Sequence, residues 1–165
     1  FLFVGHWLQG DFGQDRKDVG GMIRTFLETF KNASKRNQPA LVLKTSSASF
    51  SVGDRENMLR RIETIKNSVE GKELPNIYLV HGDLTQEELN GLYNHSKIKA
   101  MITFTHGEGF GRPLLEFSVT GKPVIYSNWS GHIDFLSEYG IPLAGELQAI
   151  DKSAVVKDKN YKKHL

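Results

Sequence analysis

The sequence predicts an α/β fold, a doubly wound parallel sheet of Rossmann-like type. Short apolar runs alternate with helical patterns along most of the chain, as βαβ units joined by right-handed crossovers do. Each run is apolar throughout instead of at every second residue, as in strands covered by helices on both faces. The 165 residues are 39% hydrophobic and 24% charged, enough apolar material for one packed domain and too much for a disordered chain.

The first strand is expected at Phe1–Val4, ending on Gly5. Val19, Met22, Ile23, Phe26, Leu27 and Phe30 then recur at helical spacing and form one apolar stripe. Ala40–Lys44 reads as the second strand, and the Ser-rich stretch Thr45–Gly53 as a loop. Met58, Leu59, Ile62, Ile65 and Val69 make a second stripe, with Arg60, Arg61, Glu63 and Lys66 on the wet face. Ile77–Val80 is the third strand. Thr85-Gln86-Glu87-Glu88 is a capping box opening a helix through Leu89, Leu92 and Tyr93. Ala100–Thr105 is the fourth strand, and Pro113 suits the first turn of the helix after it, where its missing N–H costs nothing. Pro123–Tyr126 is the fifth. Ser130 is placed to cap a helix running toward Tyr139 and stopped by Gly140, and Ile141–Leu143 is a candidate sixth strand.

Residues 1–150 are expected to form the domain and residues 151–165 a basic tail that is the truncated start of a continuation. The tail holds five lysines and two aspartates, so the net charge of +2 belongs to it and the body is near neutral. That removes the basic surface a nucleic-acid partner would need. A solvated terminus is the expectation for Lys157, Lys159, Lys162 and Lys163, with peripheral contact to an anionic membrane the sharper alternative. A chain opening on Phe1-Leu2-Phe3-Val4, without an initiator Met, reads as a domain cut from something longer. No run approaches the ~18 apolar residues of a membrane span, and no signal pattern opens the chain, so a cytoplasmic location is expected.

Several chemistries are excluded. There are no cysteines, hence no disulfide scaffold, thiolate zinc site or cysteine nucleophile. Gly5-His6-Trp7-Leu8-Gln9-Gly10-Asp11 has glycines at phosphate-loop spacing, but Asp11 stands where the lysine must be. No Gly-x-Gly-x-x-Gly follows the first strand, which disfavours a dinucleotide site. Gly5 and His6 are not the acidic pair of a phosphoacceptor domain. The histidines lack metal-ligand spacing, Asp-x-Asp is absent, and neither Ser118 nor Ser127 lies in a nucleophile elbow.

Ligands of such sheets bind beyond the carboxyl ends of the strands, in the loops Gly5–Lys17, Thr45–Asp54, His81–Leu84, Thr105–Arg112 and Ser127–His132. The most informative of these is Thr105-His106-Gly107-Glu108-Gly109-Phe110-Gly111-Arg112, which runs into Pro113-Leu114-Leu115-Glu116. Three alternate glycines permit tight backbone and close ligand approach. The free N–H groups of the helix start, around Gly111, Arg112 and Leu114, suit a phosphate or diphosphate. Glu108 in the loop and Glu116 a turn into the helix can accept hydrogen bonds from sugar or ribose hydroxyls in one cleft.

This segment resembles the Glu-x7-Glu motif in the C-terminal donor domain of the family-4, group-1 retaining glycosyltransferases of GT-B fold. Phe1–Gly5 is similar to that family's opening strand and glycine, and Arg16-Lys17-Asp18 to the basic pair before its first helix. Ile77–Gly82 with Leu84, Glu88, Leu89, Leu92 and Tyr93 resembles its next block, and Gly121–Ile125 with Ser130-Gly131 its closing block. The resemblance covers about 135 residues. It implies a nucleoside-diphosphate sugar as substrate and neither cofactor nor metal. Glu108 would bind donor sugar hydroxyls, helped by amides at Phe110 and Gly111, Glu116 would hold the ribose, and Gly5 and Gly109 would be further donor-binding positions. Arg16 and Lys17 would neutralise the diphosphate leaving group. Leu84 would lie against the base, and Thr105 with the amides from Arg112 to Leu114 would complete the phosphate pocket.

The implied activity is hexosyl transfer to an acceptor hydroxyl, in a setting such as polysaccharide biosynthesis. An N-terminal acceptor domain of the same chain would be needed for turnover, and this domain alone is expected to be inactive. A sugar-nucleotide epimerase of the same fold and a non-catalytic nucleotide- or sugar-binding module are the alternatives. Two positions depart from the family pattern: His6 replaces a frequent arginine, and Asp18 a frequent glycine.

Overall fold

The computed structural model describes residues 1–8, 10, 12–47 and 49–155. In chain order the elements are β1 (Leu2–Val4), α1 (Val19–Phe30), β2 (Leu41–Lys44), α2 (Val52–Asn67), β3 (Ile77–Val80), α3 (Gln86–Asn94), β4 (Met101–Thr103), α4 (Arg112–Ser118), β5 (Val124–Ser127), α5 (Ile133–Leu136) and β6 (Ile141–Leu143). The six strands form one sheet in the order β3-β2-β1-β4-β5-β6. Every pairing is parallel. The chain builds outward from β1 to β3, crosses back through α3, and builds outward again from β4. The order reverses between β1 and β4, and doubly wound sheets open a crevice beyond the strand ends at such a point.

Strand residues alternate between two cores. Phe3, Leu41, Leu43 and Ile102 face one way and pack with Val19, Met22, Ile23, Phe26 and Leu27 of α1 and Met58, Ile62 and Ile65 of α2. Leu2, Met101, Val124 and Tyr126 face the other way, against Tyr93 of α3, Leu114 and Phe117 of α4 and Leu136 of α5. Two helices thus cover one face and three the other, which is why the central strands read as continuously apolar. The outer strands are less covered: Tyr78 on β3 and Ile141 on β6 are about half exposed.

The Thr85 capping box forms in full, with Glu88 N–H on the threonine hydroxyl and Thr85 N–H on the Glu88 carboxylate. Elsewhere the structure corrects the reading of the sequence. The Ser-rich loop stops early because the Ser51 hydroxyl accepts the Asp54 N–H at 3.1 Å and so starts α2. Arg61 leaves the wet face: its guanidinium lies 3.9 Å from the centre of the buried Trp7 ring and donates to the Trp7 carbonyl at 3.1 Å. That contact fastens the loop after β1 to α2. Ser130 caps no helix; α5 is one turn with His132 at its start and no side-chain cap. Asp11, Lys157, Lys159, Lys162 and Lys163 lie outside the described residues. No helix of the described residues is long and apolar enough to cross a membrane.

Candidate functional site

The crevice between β1 and β4 collects residues from two loops. In the loop after β1, Asp15 is buried, its carbonyl accepts the Asp18 N–H at 2.8 Å, and burial raises its carboxyl pKa above the ordinary value. Asp18 adopts a left-handed conformation, φ 44°, and its side chain caps α1 by accepting the Gly21 N–H at 3.0 Å. The acidic group at position 18 thus serves the helix start. Arg16 and Lys17 sit just before this cap and project toward the loop after β4.

That second loop is tied to the first. His106 N–H donates to the Arg16 carbonyl at 2.8 Å. Thr105 Oγ1 lies 3.2 Å from the Arg16 carbonyl, 3.0 Å from that of Gly107 and 3.3 Å from Glu108 Oε1, so its single proton can serve only one of them at a time. Lys17 Nζ donates directly to Glu108 Oε1. Arg16 Nη1 is 3.4 Å from Glu108 Oε2 and donates to the Gly107 carbonyl at 2.9 Å. The Lys17 and Glu108 side chains are 11% and 10% exposed, whereas Arg16 is half exposed and open to a ligand. Burial, and then the neighbouring Arg16 charge, lower the Lys17 pKa to about 8. Gly5 lies alongside: a Cβ there would stand 3.4 Å from the Lys17 stem, which runs past bare backbone.

The sequence-predicted residues divide into groups. Arg16, Lys17, Thr105 and Glu108 come together in one network. Glu116 forms a second: its carboxylate is 3.4 Å from Arg112 Nε and accepts from the Tyr93 hydroxyl at 3.4 Å. Burial and that carboxylate raise the Tyr93 pKa, so the phenol stays a donor. Glu108 and Glu116, with seven residues between them, thus belong to different networks. The Leu114 side chain is core, and its N–H donates to the Gly111 carbonyl at 2.9 Å. Gly111, φ 85°, begins α4 as a backbone that only glycine adopts readily. Gly109 and Phe110 are exposed at the loop tip, where Phe110 packs 5.4 Å from the Phe135 ring. Leu84 is half-buried after β3, and His6 lies 3.4 Å from Ser46 Oγ; neither joins the Glu108 network.

Residues outside those expectations complete the site. Ser130 Oγ donates to the Glu108 carbonyl at 2.6 Å and accepts the Glu108 N–H at 3.0 Å. The Gly131 N–H donates to the same carbonyl at 3.0 Å. A buried cluster also ties α2 to the ends of β2 and β3: Asp54 accepts from Ser47 and lies 2.8 Å from His81 Nε2. Burial works to raise the Asp54 pKa, but these hydrogen bonds outweigh it and hold the carboxyl below the ordinary range. Among the described residues no group of three or more His, Asp or Glu side chains could hold a metal ion.

The chain is an α/β protein with a doubly wound, all-parallel, Rossmann-like sheet. Among solved structures it is similar to the N-terminal domain of Candida albicans trehalose-6-phosphate phosphatase, with a TM-score of 0.56 and 18% identity. The match covers 86% of this chain and 30% of the other, and what it shows is the fold. No family model and no curated protein matches the sequence.

Proposed function

We propose that the chain is the donor-binding domain of a retaining glycosyltransferase of GT-B type, which takes a nucleoside-diphosphate sugar. One observation carries the reading. Arg16, Lys17, Thr105 and Glu108, drawn from two loops distant in sequence, converge where the strand order reverses, the place where open α/β sheets bind ligands. Arg16 and Lys17 would answer a diphosphate there and Glu108 the sugar hydroxyls, with Glu116 in the neighbouring network of Arg112 and Tyr93 left for the ribose.

In the transfer, the bond between the anomeric carbon and the diphosphate breaks, an acceptor hydroxyl adds from the same face, and its proton passes to the departing diphosphate oxygen. Arg16, half exposed, meets the charge developing on the leaving oxygen, and Lys17 supports it from below. Glu108 orients the sugar and also holds Lys17 in place. Glu116, with Tyr93 fixing one oxygen, accepts from the ribose. The acceptor site belongs to a separate N-terminal domain of the same protein, so binding without turnover is the property expected of this domain.

A thermal-shift panel of UDP, GDP, ADP, CMP, UDP-glucose and GDP-mannose tests this. A ligand at ~100 times its dissociation constant stabilises by about 2.7 kcal/mol, a readily seen shift. A response to one diphosphate and its sugar, absent in Arg16→Ala, supports the reading and identifies the base. No response to any of them overturns it.

A further inference from the structure

The Glu108 carboxylate can meet Lys17 and Arg16 only if the glycine-flanked peptide bearing it is held, and neither Gly107 nor Gly109 supplies restraint of its own. The restraint comes from the loop after β5. We propose that Ser130 is a positioning residue, whose hydroxyl clasps both polar groups of the Glu108 main chain and so sets the Glu108 side chain against Lys17 and Arg16.

Four observations support this. The Ser130 hydroxyl serves the Glu108 N–H and C=O together, and the Gly131 N–H adds a third bond to that carbonyl. Ser130 does this from φ 81°, one of two positive values among the described non-glycine residues, a conformation that disfavours a serine. The clasping hydroxyl thus sits where glycine would be more comfortable. Residue 131 also leaves no room for a side chain, since a Cβ there would come 2.2 Å from the Gly109 carbonyl oxygen. Below the clasp, Ser127 Oγ donates to the Thr105 carbonyl, and His132, fully buried, approaches the Ser127 carbonyl through Nε2 at 2.8 Å. The loop after β5 thus grips the loop after β4 at both ends.

This inference deepens the donor-site reading, and rests on it only for what the positioned charges bind. Backbone strain and the hydroxyl can be varied separately. Ser130→Gly relieves the strain and deletes the clasp; Ser130→Thr keeps a hydroxyl and adds strain; Ser130→Ala deletes the clasp and keeps the strain. Affinity should follow the hydroxyl, and melting temperature the backbone. With UDP, GDP and ADP as probes, Ser130→Ala and Ser130→Gly are expected to bind the preferred diphosphate ~10-fold or more weakly, and Ser130→Thr to recover most of the loss. Ser130→Gly should melt no lower than Ser130→Ala.

Amide hydrogen exchange at Glu108, read in the same variants without ligand, is expected to quicken by ~10-fold or more in Ser130→Ala and Ser130→Gly and to slow again in Ser130→Thr. Unchanged exchange in Ser130→Ala overturns the clasp. So does wild-type affinity in Ser130→Gly. If the wild-type protein binds none of the three diphosphates, the donor-site reading fails while the exchange rates still decide the clasp.

Discussion

Lys17 and Glu108 stand 91 residues apart in sequence and meet as an ion pair whose side chains are about nine-tenths buried. The pair spans the reversal of strand order, joining the loop after β1 to the loop after β4. Glu108 also accepts from Arg16, so one carboxylate answers two cations.

Removing that carboxylate strands a buried ammonium beside a guanidinium. Glu108→Ala is expected to lower stability by about 3 kcal/mol. Lys17→Met in the same chain should recover part of the loss by deleting the stranded charge. Urea midpoints measure both, and equal midpoints for the single and double variants would contradict the pairing.

Lys17 also sets a pH dependence. Burial and Arg16 lower its pKa from 10.5 to about 8 in the folded chain. Between those values the unfolded chain holds more protons, so this group's contribution to stability rises with pH. Diphosphate affinity runs the other way, because a neutral amine offers the phosphates no charge. Calorimetric titrations from about pH 6.5 to about 9 should show affinity falling through pH 8, and Lys17→Met should lose that inflection.

Glu116→Ala separates the second network from the first. The side chain is 40% exposed and its partners are Arg112 and Tyr93, so folding should change little. Affinity for a nucleoside diphosphate is expected to fall by ~10-fold, the loss of a charged hydrogen bond to the ribose. Equal affinities for wild type and variant in calorimetry would remove Glu116 from the site.

A stabilising change is available away from the crevice. Gly91 lies inside α3, and a Cβ added there meets nothing within 4 Å. Gly91→Ala should raise stability by about 0.5–1 kcal/mol through helix propensity alone. The check is a higher urea midpoint with unchanged diphosphate binding.

The alternation of strands and helices was legible because apolar runs and 3.6-residue stripes are local, and the Thr85 capping box is a four-residue signal. Strand order is not local, and on it depends the meeting of Arg16 and Lys17 with Glu108. The run Ile77–Val80 looks as apolar as a central strand but lies at the sheet edge, since hydrophobicity along a strand does not say how many neighbours it has. Arg61 read as a solvated charge because its partner, the Trp7 ring, comes from a loop 54 residues earlier. Ser130 read as a helix cap because its residue type suits one; its positive φ leaves no mark in sequence unless glycine is used. The glutamates, the basic pair and Thr105 were legible as chemistry. Which of them touch was not.

The juxtaposition of β1 and β4 also makes the site a joint property of two half-sheets. Leu2 pairs with Met101 across the seam between them. Without the second half-sheet, the loop that carries Arg16 and Lys17 has no Glu108 to receive them. The site is complete only where the halves are joined. A ligand held by both loops at once would brace that joint against reopening.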